Sequence, residues 1–257
     1  MDKVTLKRKV GRIPFAKTTY HFIIKTYNYF FFIRDYVVFK KMLGREDRLP
    51  MLFVDQFPCL LDNTGITGFE PHYTYHPAWA ARVIAQVKPK KHIDISSILH
   101  FSTLVSAFVP VEFYDFRPAG VKLENLECKK GDLLALPFPD NSVESISCMH
   151  TIEHVGLGRY GDPLDPQGDI KAINELKRVL APGGTLLFVS PMGRPRIQFN
   201  AHRIYSYAQI TEYFSGLTLK EFSLVPDNYL ETGIVKNASE ELADKQKWAC
   251  GCFWFTK

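Results

Sequence analysis

The fold of this chain is decided by residues 132–191, which read DLLALPFPDNSVESISCMHTIEHVGLGRYGDPLDPQGDIKAINELKRVLAPGGTLLFVSP. Residues 143–149 alternate apolar with small or polar side chains, which is typical of a strand. From Asp169 the apolar residues recur at helical spacing as far as Leu180, and the Ala-Pro-Gly-Gly that follows ends this helix. Residues 185–191 are almost continuously apolar, as expected for a strand that is covered on both faces.

The segment that leaves the first of these strands is polar. Residues 149–158 contain His150, Glu153 and His154 and end in a glycine-rich loop. In an open α/β sheet, ligands bind at the carboxyl ends of the strands. This segment is therefore the first candidate for a functional site.

These residues resemble a known superfamily. The resemblance is carried by Asp132 with the Leu-Pro-Phe at residues 136–138, by the Glu-His-Val at 153–155, and above all by the Arg-Val-Leu-Ala-Pro-Gly-Gly turn at 178–184. Together they look like the second half of a class I (Rossmann-like) methyltransferase that uses S-adenosylmethionine. Residues 154–162, with residues 199–204 downstream, are similar to an uncharacterised branch of that superfamily, known as a domain of unknown function.

The resemblance runs from about residue 73 to the C-terminus and implies a fold and a cofactor. The implied fold is α/β, with a doubly wound, mostly parallel seven-stranded sheet whose last strand, residues 249–256, is antiparallel. The implied cofactor is S-adenosyl-L-methionine. We expect a basic, aromatic helical extension and connector at residues 1–70 and a methyltransferase-like domain at residues 71–257.

Composition limits the class of protein to which this chain can belong. A chain of 257 residues with 46% hydrophobic content can bury a sizeable core. Its five cysteines form no CxxC pair, so we expect reduced thiols in a cytoplasmic protein. The basic start is not followed by an uninterrupted apolar core, so we expect no signal peptide.

The positive charge is concentrated in the extension. Residues 1–50 carry a net charge of +8, which leaves −3 for the rest of the chain. The aromatic runs at 27–33 and 36–39 fall short of the roughly 20 apolar residues of a membrane span. Residues 1–45 are therefore expected either to contact an anionic membrane surface peripherally or to pack on the domain or a second subunit. No nucleic-acid-binding motif accompanies the charge, and the oligomeric state is left open.

The connector and the first helix come next. Residues 49–75 are rich in proline and glycine, which predicts irregular structure, and residues 77–87 predict a helix with Pro77 near its first turn. In the methyltransferase interpretation Tyr73, Tyr75 and His76, which precede this helix, approach the cofactor from above. Alternatively, they cap the helix and fill a groove.

The first strand and its turn fall at residues 91–98, where such folds usually place glycines that let the backbone approach the ligand. This chain has none there. The resemblance assigns Asp94 to the cofactor's ammonium group, and Ser96 and Ser97 to its carboxylate or ribose. A side chain at Ser96 narrows the space for the cofactor.

Two further acids follow strands. Asp115 ends the strand at 111–115, about twenty residues beyond Asp94, and an acid at that spacing can accept both ribose hydroxyls. The resemblance places Asp132 at the adenine amino group and Leu133 against the base. Arg117 is expected either to pair with Asp115 or to face a substrate anion. Each acid taken alone has an alternative role, because an aspartate before a turn often caps the backbone.

Methyl transfer to a hydroxyl group requires alignment of the two reactants and one base. The candidate catalytic residues are His154, His150 and Glu153. His154 is preferred as the base because the unperturbed pKa of histidine is about 6.5. The polar residues on later loops could orient the acceptor, for which we expect a hydroxylated small molecule such as a sugar or glycan precursor. The candidate substrate-binding residues are Arg159, Asp162, His202 and Arg203.

Two other functions compete with this one. His150, Glu153 and His154 match the H-x-x-E-H pattern of inverted zinc peptidases, although glycines follow at once and no third ligand is nominated, so we expect no metal. The more serious rival is a methyltransferase-like fold that has lost cofactor binding with its glycines and serves as a binding module or scaffold.

Overall fold

The computed structural model of this chain describes residues 14–43 and 49–257. Their contacts divide the chain into two compact units, with the boundary between Gly68 and Phe69. The boundary expected from the sequence, between residues 70 and 71, lies two positions later.

The N-terminal unit is built around one long helix, α1 (Pro14–Leu43). A short 3-10 turn at Phe53–Asp55 lies in the connector that follows. The connector is held against α1 by a hydrogen bond of 2.6 Å from Asn28 Nδ2 to the Leu60 carbonyl oxygen, and by an edge-on contact between the rings of Tyr36 and Phe53. The irregular structure expected for this stretch extends only to Glu70, because the next helix begins at Pro71.

Helix α1 presents large apolar side chains such as Phe22 and Phe30 that are more than two thirds exposed. Within residues 14–43 and 49–257, no helix combines the length and the apolar character needed to cross a membrane. Residues 1–13 and 44–48, which carry seven of the twelve basic residues of the extension, lie outside the described part of the chain. Peripheral membrane contact through residues 1–45 stays a prediction.

The C-terminal unit, residues 69–257, alternates strands with helices. Its helices are α2 (Pro71–Val87), α3 (Leu99–Val105), α4 (Gly168–Val179), α5 (Tyr207–Tyr213), α6 (Tyr229–Thr232) and α7 (Glu240–Asp244). Its strands are β1 (His92–Ile95), β2 (Val111–Asp115), β3 (Leu126–Lys130), β4 (Val143–Met149), β5 (Leu180–Met192), β6 (Arg196–Gln198), β7 (His202–Ile204), β8 (Thr218–Val225), β9 (Val235–Lys236) and β10 (Ala249–Thr256).

Eight of these strands form one sheet in the order β3-β2-β1-β4-β5-β10-β8-β9. The pairs from β3 to β5 are parallel, and β10 inserts antiparallel between β5 and β8. The expected doubly wound, mostly parallel sheet with an antiparallel last strand is confirmed. The two-residue strand β9 adds an eighth strand to the seven that were expected.

Helices cover both faces of the sheet. On one face, α4 and α5 bury Ile173, Leu176 and Ile210 against Ile146 and Phe188. On the other face, α2 and α3 pack with side chains such as Trp79 and Phe101 against the opposite set of strand residues. Successive residues of β5 alternate between these two cores, as the two-residue period of a strand requires.

Two local predictions were wrong. Helix α2 begins at Pro71 rather than Pro77, because the Glu70 side chain accepts a hydrogen bond of 2.6 Å from the Tyr73 amide and caps the first turn. The tyrosines and His76 expected ahead of the helix are therefore part of it. Residues 194–202, expected as a long loop, contain most of a short antiparallel hairpin, in which β6 pairs with β7.

Candidate active site

The candidate site lies at the carboxyl ends of the central strands. Strands β1 and β4 are neighbours, but the chain leaves β1 towards α3 on one face and leaves β4 towards α4 on the other. Such a point, where the strand order reverses, opens a crevice beside the strand ends. Two cavities meet at this position.

The first cavity, called here the strand-end cavity, has a volume of about 350 Å³. It is lined by the turns that follow β1, β2 and β4 and by the segment after β3. The lining residues that the sequence nominated are Ser96, Asp115, Arg117, Asp132, Leu133, His150, His154 and Asp162.

The second cavity, called here the histidine cavity, has a volume of about 530 Å³. Four histidines and several aromatic side chains line it. Its residues are His72, Tyr73, His150, Glu153, His154, Arg159, Pro191, Phe199, Asn200, Ala201, His202 and Trp248. Because His150 and His154 line both cavities, these two side chains mark the place where the cavities adjoin.

Asp94 and Ser97 line neither cavity, although the resemblance assigned both to the cofactor. The Asp94 carboxylate is fully buried, accepts a hydrogen bond of 2.7 Å from Ser147 Oγ, and accepts another from Ser102 Oγ. Burial raises the pKa of Asp94 to about 6, although these hydroxyl donors oppose the rise. Ser97 Oγ accepts a hydrogen bond from the Met149 amide. Both residues fasten β1 to its neighbours.

Arg203, expected to contact substrate, also lies outside both cavities. Only 4% of its surface is exposed. Its guanidinium donates to the Val155 carbonyl oxygen at 2.6 Å and lies 3.5 Å from the Asp169 carboxylate. These contacts hold the loop after β4 against α4, so Arg203 stabilises the site without lining either cavity.

The turn after β1 adopts a glycine-like conformation without glycine. Ser96 has φ +54°, in the left-handed region that disfavours residues with a Cβ. Its amide and its hydroxyl both donate to the Tyr114 carbonyl oxygen, at 2.8 and 3.2 Å. The hydroxyl is therefore engaged with strand β2.

The acids after β2 and β3 hold the turns that carry them. Asp115 Oδ1 accepts from the Arg117 amide at 2.7 Å, and Asp132 Oδ1 accepts from the Leu134 amide at 2.8 Å. Both residues also line the strand-end cavity. The Arg117 guanidinium lies over the Tyr160 ring, 4.6 Å from its centroid, and does not pair with Asp115.

Asp162 organises the loop after β4. Its carboxylate accepts hydrogen bonds from the amides of Gly156 at 2.7 Å, Gly158 at 3.3 Å and Tyr160 at 3.2 Å. Burial opposes the ionised form, but these amide donors outweigh it, so the pKa of Asp162 is lowered. The residue expected to bind substrate instead shapes the loop that carries Arg159 and Tyr160.

His154 is held in one tautomer. Its Nδ1 lies 2.6 Å from the Ala201 carbonyl oxygen, which can only accept, and 3.2 Å from Arg159 Nη1, which can only donate. The shorter contact favours the tautomer with the proton on Nδ1, which leaves Nε2 with a lone pair. Burial lowers the pKa of His154, with opposing contributions from the charge of Glu153 and the Ala201 bond. A neutral imidazole with a free Nε2 can accept a proton.

Glu153 and His150 form a buried pair. Glu153 is 1% exposed, and its Oε1 lies 2.8 Å from His150 Nδ1 and 3.9 Å from His154 Nε2. Burial opposes ionisation of the carboxyl group, but the His150 hydrogen bond and the charges of both histidines outweigh it and lower the pKa of Glu153. Glu153 therefore orients His150 and places a negative charge beside both histidines.

The inverted zinc-peptidase arrangement is not formed. Residues Ile152–His154 make a single 3-10 turn, so His150 and His154 do not lie on one helix. The Nδ1 atom of His154 is bound to a carbonyl oxygen and Glu153 contacts the imidazoles themselves. We therefore reject a zinc hydrolase built on His150, Glu153 and His154.

Sequence reasoning did not nominate several residues of the histidine cavity and its border. His72 on α2, Trp248 before β10 and Tyr160 on the loop after β4 all face the site. The spacing of His72 and His76, one helical turn apart, was an available signal once the helix start at Pro71 was recognised. No local pattern could have placed Trp248.

Comparisons with known proteins agree with this architecture. A family model described as "Caenorhabditis protein of unknown function, DUF268" matches residues 129–246. A search of curated proteins finds no match.

Among solved structures, the 1,6-didemethyltoxoflavin-N1-methyltransferase of Burkholderia thailandensis, crystallised with 1,6-didemethyltoxoflavin and S-adenosylhomocysteine, is 11% identical with a TM-score of 0.51. That match covers 72% of this chain and 80% of the other. A Galdieria sulphuraria protein provisionally assigned as a sarcosine dimethylglycine methyltransferase is 17% identical with a TM-score of 0.50, over 70% of this chain and 84% of the other. The C-terminal unit therefore has the class I methyltransferase fold.

The first prediction concerns the loop that Asp162 organises. Gly156 and Gly161 both have positive φ, at +79° and +85°, but an added Cβ on Gly156 would lie 2.0 Å from the Asp165 carbonyl oxygen, whereas one on Gly161 would meet open space. We expect Gly161→Ala to cost about 1–2 kcal/mol for the left-handed backbone and Gly156→Ala about 1–3 kcal/mol more for the clash. Urea unfolding of both variants measures the difference, and equal losses would contradict this account of the loop.

The second prediction concerns Asp94. Its folded-state pKa of about 6 lies above the ordinary value of 3.8, so the stability it contributes is full below pH 3.8 and is lost as the pH rises through 6. An asparagine at position 94 does not titrate, so it contributes no such pH dependence to stability. Between pH 4.5 and 7.5 we expect the unfolding free energy of the wild type to fall by roughly 2 kcal/mol relative to Asp94→Asn. Urea unfolding across this range tests it, and parallel profiles would show that Asp94 is ionised throughout.

Proposed function

We propose that this chain is an S-adenosylmethionine-dependent methyltransferase that acts on a polar, hydroxylated acceptor such as a sugar or glycan precursor. The observation that carries the proposal is the pair of adjoining cavities at the point where the strand order reverses, with His150 and His154 on their common wall. We assign the methyl donor to the strand-end cavity and the acceptor to the histidine cavity.

The strand-end cavity suits the donor in size and chemistry. Its volume of about 350 Å³ lies within the roughly 300–1,000 Å³ of small-molecule sites. Asp115 and Asp132 stand at the ends of neighbouring parallel strands, where carboxylates can accept from ribose hydroxyls and from an adenine amino group. Leu133 supplies an apolar surface beside Asp132 for a flat base.

The first turn fits the donor in spite of its missing glycines. Ser96 already adopts the left-handed conformation, and its hydroxyl is bound to the Tyr114 carbonyl oxygen. Thr151 Oγ1 donates to the Ser96 carbonyl oxygen at 3.0 Å and ties the turns after β1 and β4 together. The backbone of this turn is thus held in the left-handed conformation that glycine usually adopts, which supports the assignment of the donor to this cavity.

The histidine cavity suits a hydroxylated acceptor. Tyr73, Phe199 and Trp248 offer ring faces that can lie against the apolar face of a sugar ring. Arg159 supplies donors only, His154 offers the Nε2 lone pair as an acceptor, and the imidazole of His202 can accept or donate, so hydroxyl groups find both kinds of partner. Arg159 also stacks over Tyr160, 5.1 Å from its centroid, which fixes its position.

The proposed chemistry places one proton transfer on the chain itself. A bound S-adenosylmethionine supplies a methyl group that is already electrophilic. The residues align an acceptor hydroxyl in the histidine cavity and remove its proton at His154 Nε2, while the Nδ1 bond to Ala201 holds the ring in place. The neighbouring Glu153 charge favours the imidazolium that results.

The third prediction tests cofactor binding by calorimetry with S-adenosylhomocysteine. We expect the wild type to bind one equivalent and Asp115→Ala to bind roughly 10–100-fold more weakly, because a charge-assisted acceptor of the ribose hydroxyls is lost. Glu144→Ala, which removes an exposed acid from β4 outside both cavities, is the matched control and should bind as the wild type does. No heat with the wild type would favour the scaffold function.

The fourth prediction concerns His154 as the base. With methyl-labelled S-adenosylmethionine and fractionated polar cell extracts as acceptors, we expect His154→Ala to lower turnover by roughly 10²–10⁴-fold. Because the pKa of His154 is lowered, the wild-type rate should rise with pH to a plateau whose midpoint lies below pH 6.5.

The matched control is His100→Ala, since His100 is exposed on α3 and lines neither cavity. It should retain both the rate and the pH profile. If His154→Ala binds S-adenosylhomocysteine normally and also keeps full turnover, His154 is not the base, and donor binding stands independently of that result.

A further inference from the structure

A second set of chemically reactive side chains meets beneath the histidine cavity. His72 on α2, His150 after β4 and Cys250 on β10 come from three separate elements, and their ligating atoms all lie within 4.8 Å of one another. All three side chains are buried. This cluster is distinct from the H-x-x-E-H triplet, with which it shares only His150.

The spacing suits a tetrahedral metal ion. Zinc binds imidazole nitrogen at about 2.0–2.1 Å and thiolate sulfur at about 2.3 Å, which places neighbouring ligand atoms roughly 3.5 Å apart. Small side-chain rotations close the remaining gap. Nitrogen and sulfur donors together select zinc or a related transition metal over magnesium and calcium, which prefer oxygen.

The Glu153 carboxylate orients the His150 ring for metal binding. The hydrogen bond of 2.8 Å to Glu153 Oε1 occupies Nδ1 and leaves Nε2 buried, with no hydrogen-bond partner among residues 14–43 and 49–257. A buried polar atom without a partner is costly, and a metal ion would satisfy it. The carboxylate–histidine–metal arrangement recurs at zinc sites because the carboxylate fixes the tautomer and ring orientation.

The other two ligands are also held in place. The His72 ring lies 5.3 Å from the His150 ring between centroids, nearly parallel to it, and 4.4 Å from the Trp248 ring. Cys250 is fully buried in the sheet, where β10 pairs with both β5 and β8. The three donors are therefore held by a helix, by the end of a central strand and by a strand paired on both sides.

We propose that His72, His150 and Cys250 bind a zinc ion whose fourth coordination position faces the histidine cavity. His72 and His150 line that cavity, so the site is open on this side. Three protein ligands with one open position is the pattern of catalytic rather than structural zinc. An ion here would act as a Lewis acid on a water molecule or on a hydroxyl or thiol group of a molecule bound in the cavity.

The fifth prediction uses the full-length chain, stripped of metal by a chelator and titrated with Co²⁺. We expect one equivalent to bind, giving the visible absorption of tetrahedral cobalt and a near-ultraviolet thiolate-to-cobalt band, both removed by Zn²⁺. Cys250→Ser should lose the thiolate band. Cys148→Ser, a buried thiol packed in the core on the other face of the sheet, should keep it.

Two further variants distinguish the loss of a group that holds the metal from a general effect on folding. His72→Ala should weaken Co²⁺ binding by more than about tenfold, and Glu153→Gln should do so by roughly 10–100-fold, as substitutions behind a metal ligand do. His100→Ala should have no effect. Thermal unfolding monitors the fold of every variant.

X-ray absorption at the zinc edge of the wild-type protein needs no substitution and should report two nitrogens, one sulfur and one light atom. Substoichiometric metal, a cobalt spectrum without the thiolate band, or a sulfur-free zinc environment would overturn the proposal. None of these measurements depends on methyl transfer, so the metal site and the proposed activity can fail separately.

Discussion

The site depends on the way the chain leaves two adjacent strands. Strands β1 and β4 are hydrogen-bonded neighbours, but the segments that follow them turn to opposite faces of the sheet. Such a divergence opens a crevice beside the strand ends. Both cavities, and the histidines between them, exist because of this divergence.

A buried polar network holds the two strands together at that point. Asp94 pairs in register with Ser147, and the hydroxyl of Ser147 lies within hydrogen-bonding distance of both the Asp94 carboxylate and His92 Nε2. His92 Nδ1 in turn contacts Ser145 Oγ at 2.8 Å. Burial lowers the pKa of His92 to about 3, so this ring is neutral and bridges two hydroxyls. Polar networks of this kind are stable only when their members are satisfied, and here each hydroxyl has a partner.

The fold was predictable because its signals are local. The Pro-Gly-Gly turn after α4, the alternation in β4 and the acids after successive strands each specify structure within a few residues. The predictions that failed concern features that these local signals leave undecided. Pro71 and Pro77 are equally good first-turn residues, and only the Glu70 cap decides between them. Whether Asp94 or Arg203 faces a cavity depends on partners that are distant in the sequence, as does the meeting of His72 with Cys250.

Glu153 links the two halves of the candidate site. Its carboxylate is buried, and the pKa is lowered, so the charge requires compensation within the protein. The adjacent groups that can supply positive charge are His150, at 2.8 Å, and His154, at 3.9 Å. A divalent ion on His150 and the Cys250 thiolate, as proposed above, would leave one net positive charge beside Glu153, enough to balance the carboxylate. Under the two proposals the same carboxylate would stabilise a metal ion on His150 and a proton transferred to His154, and this common electrostatic role would account for a charged acid in the interior where the cavities meet.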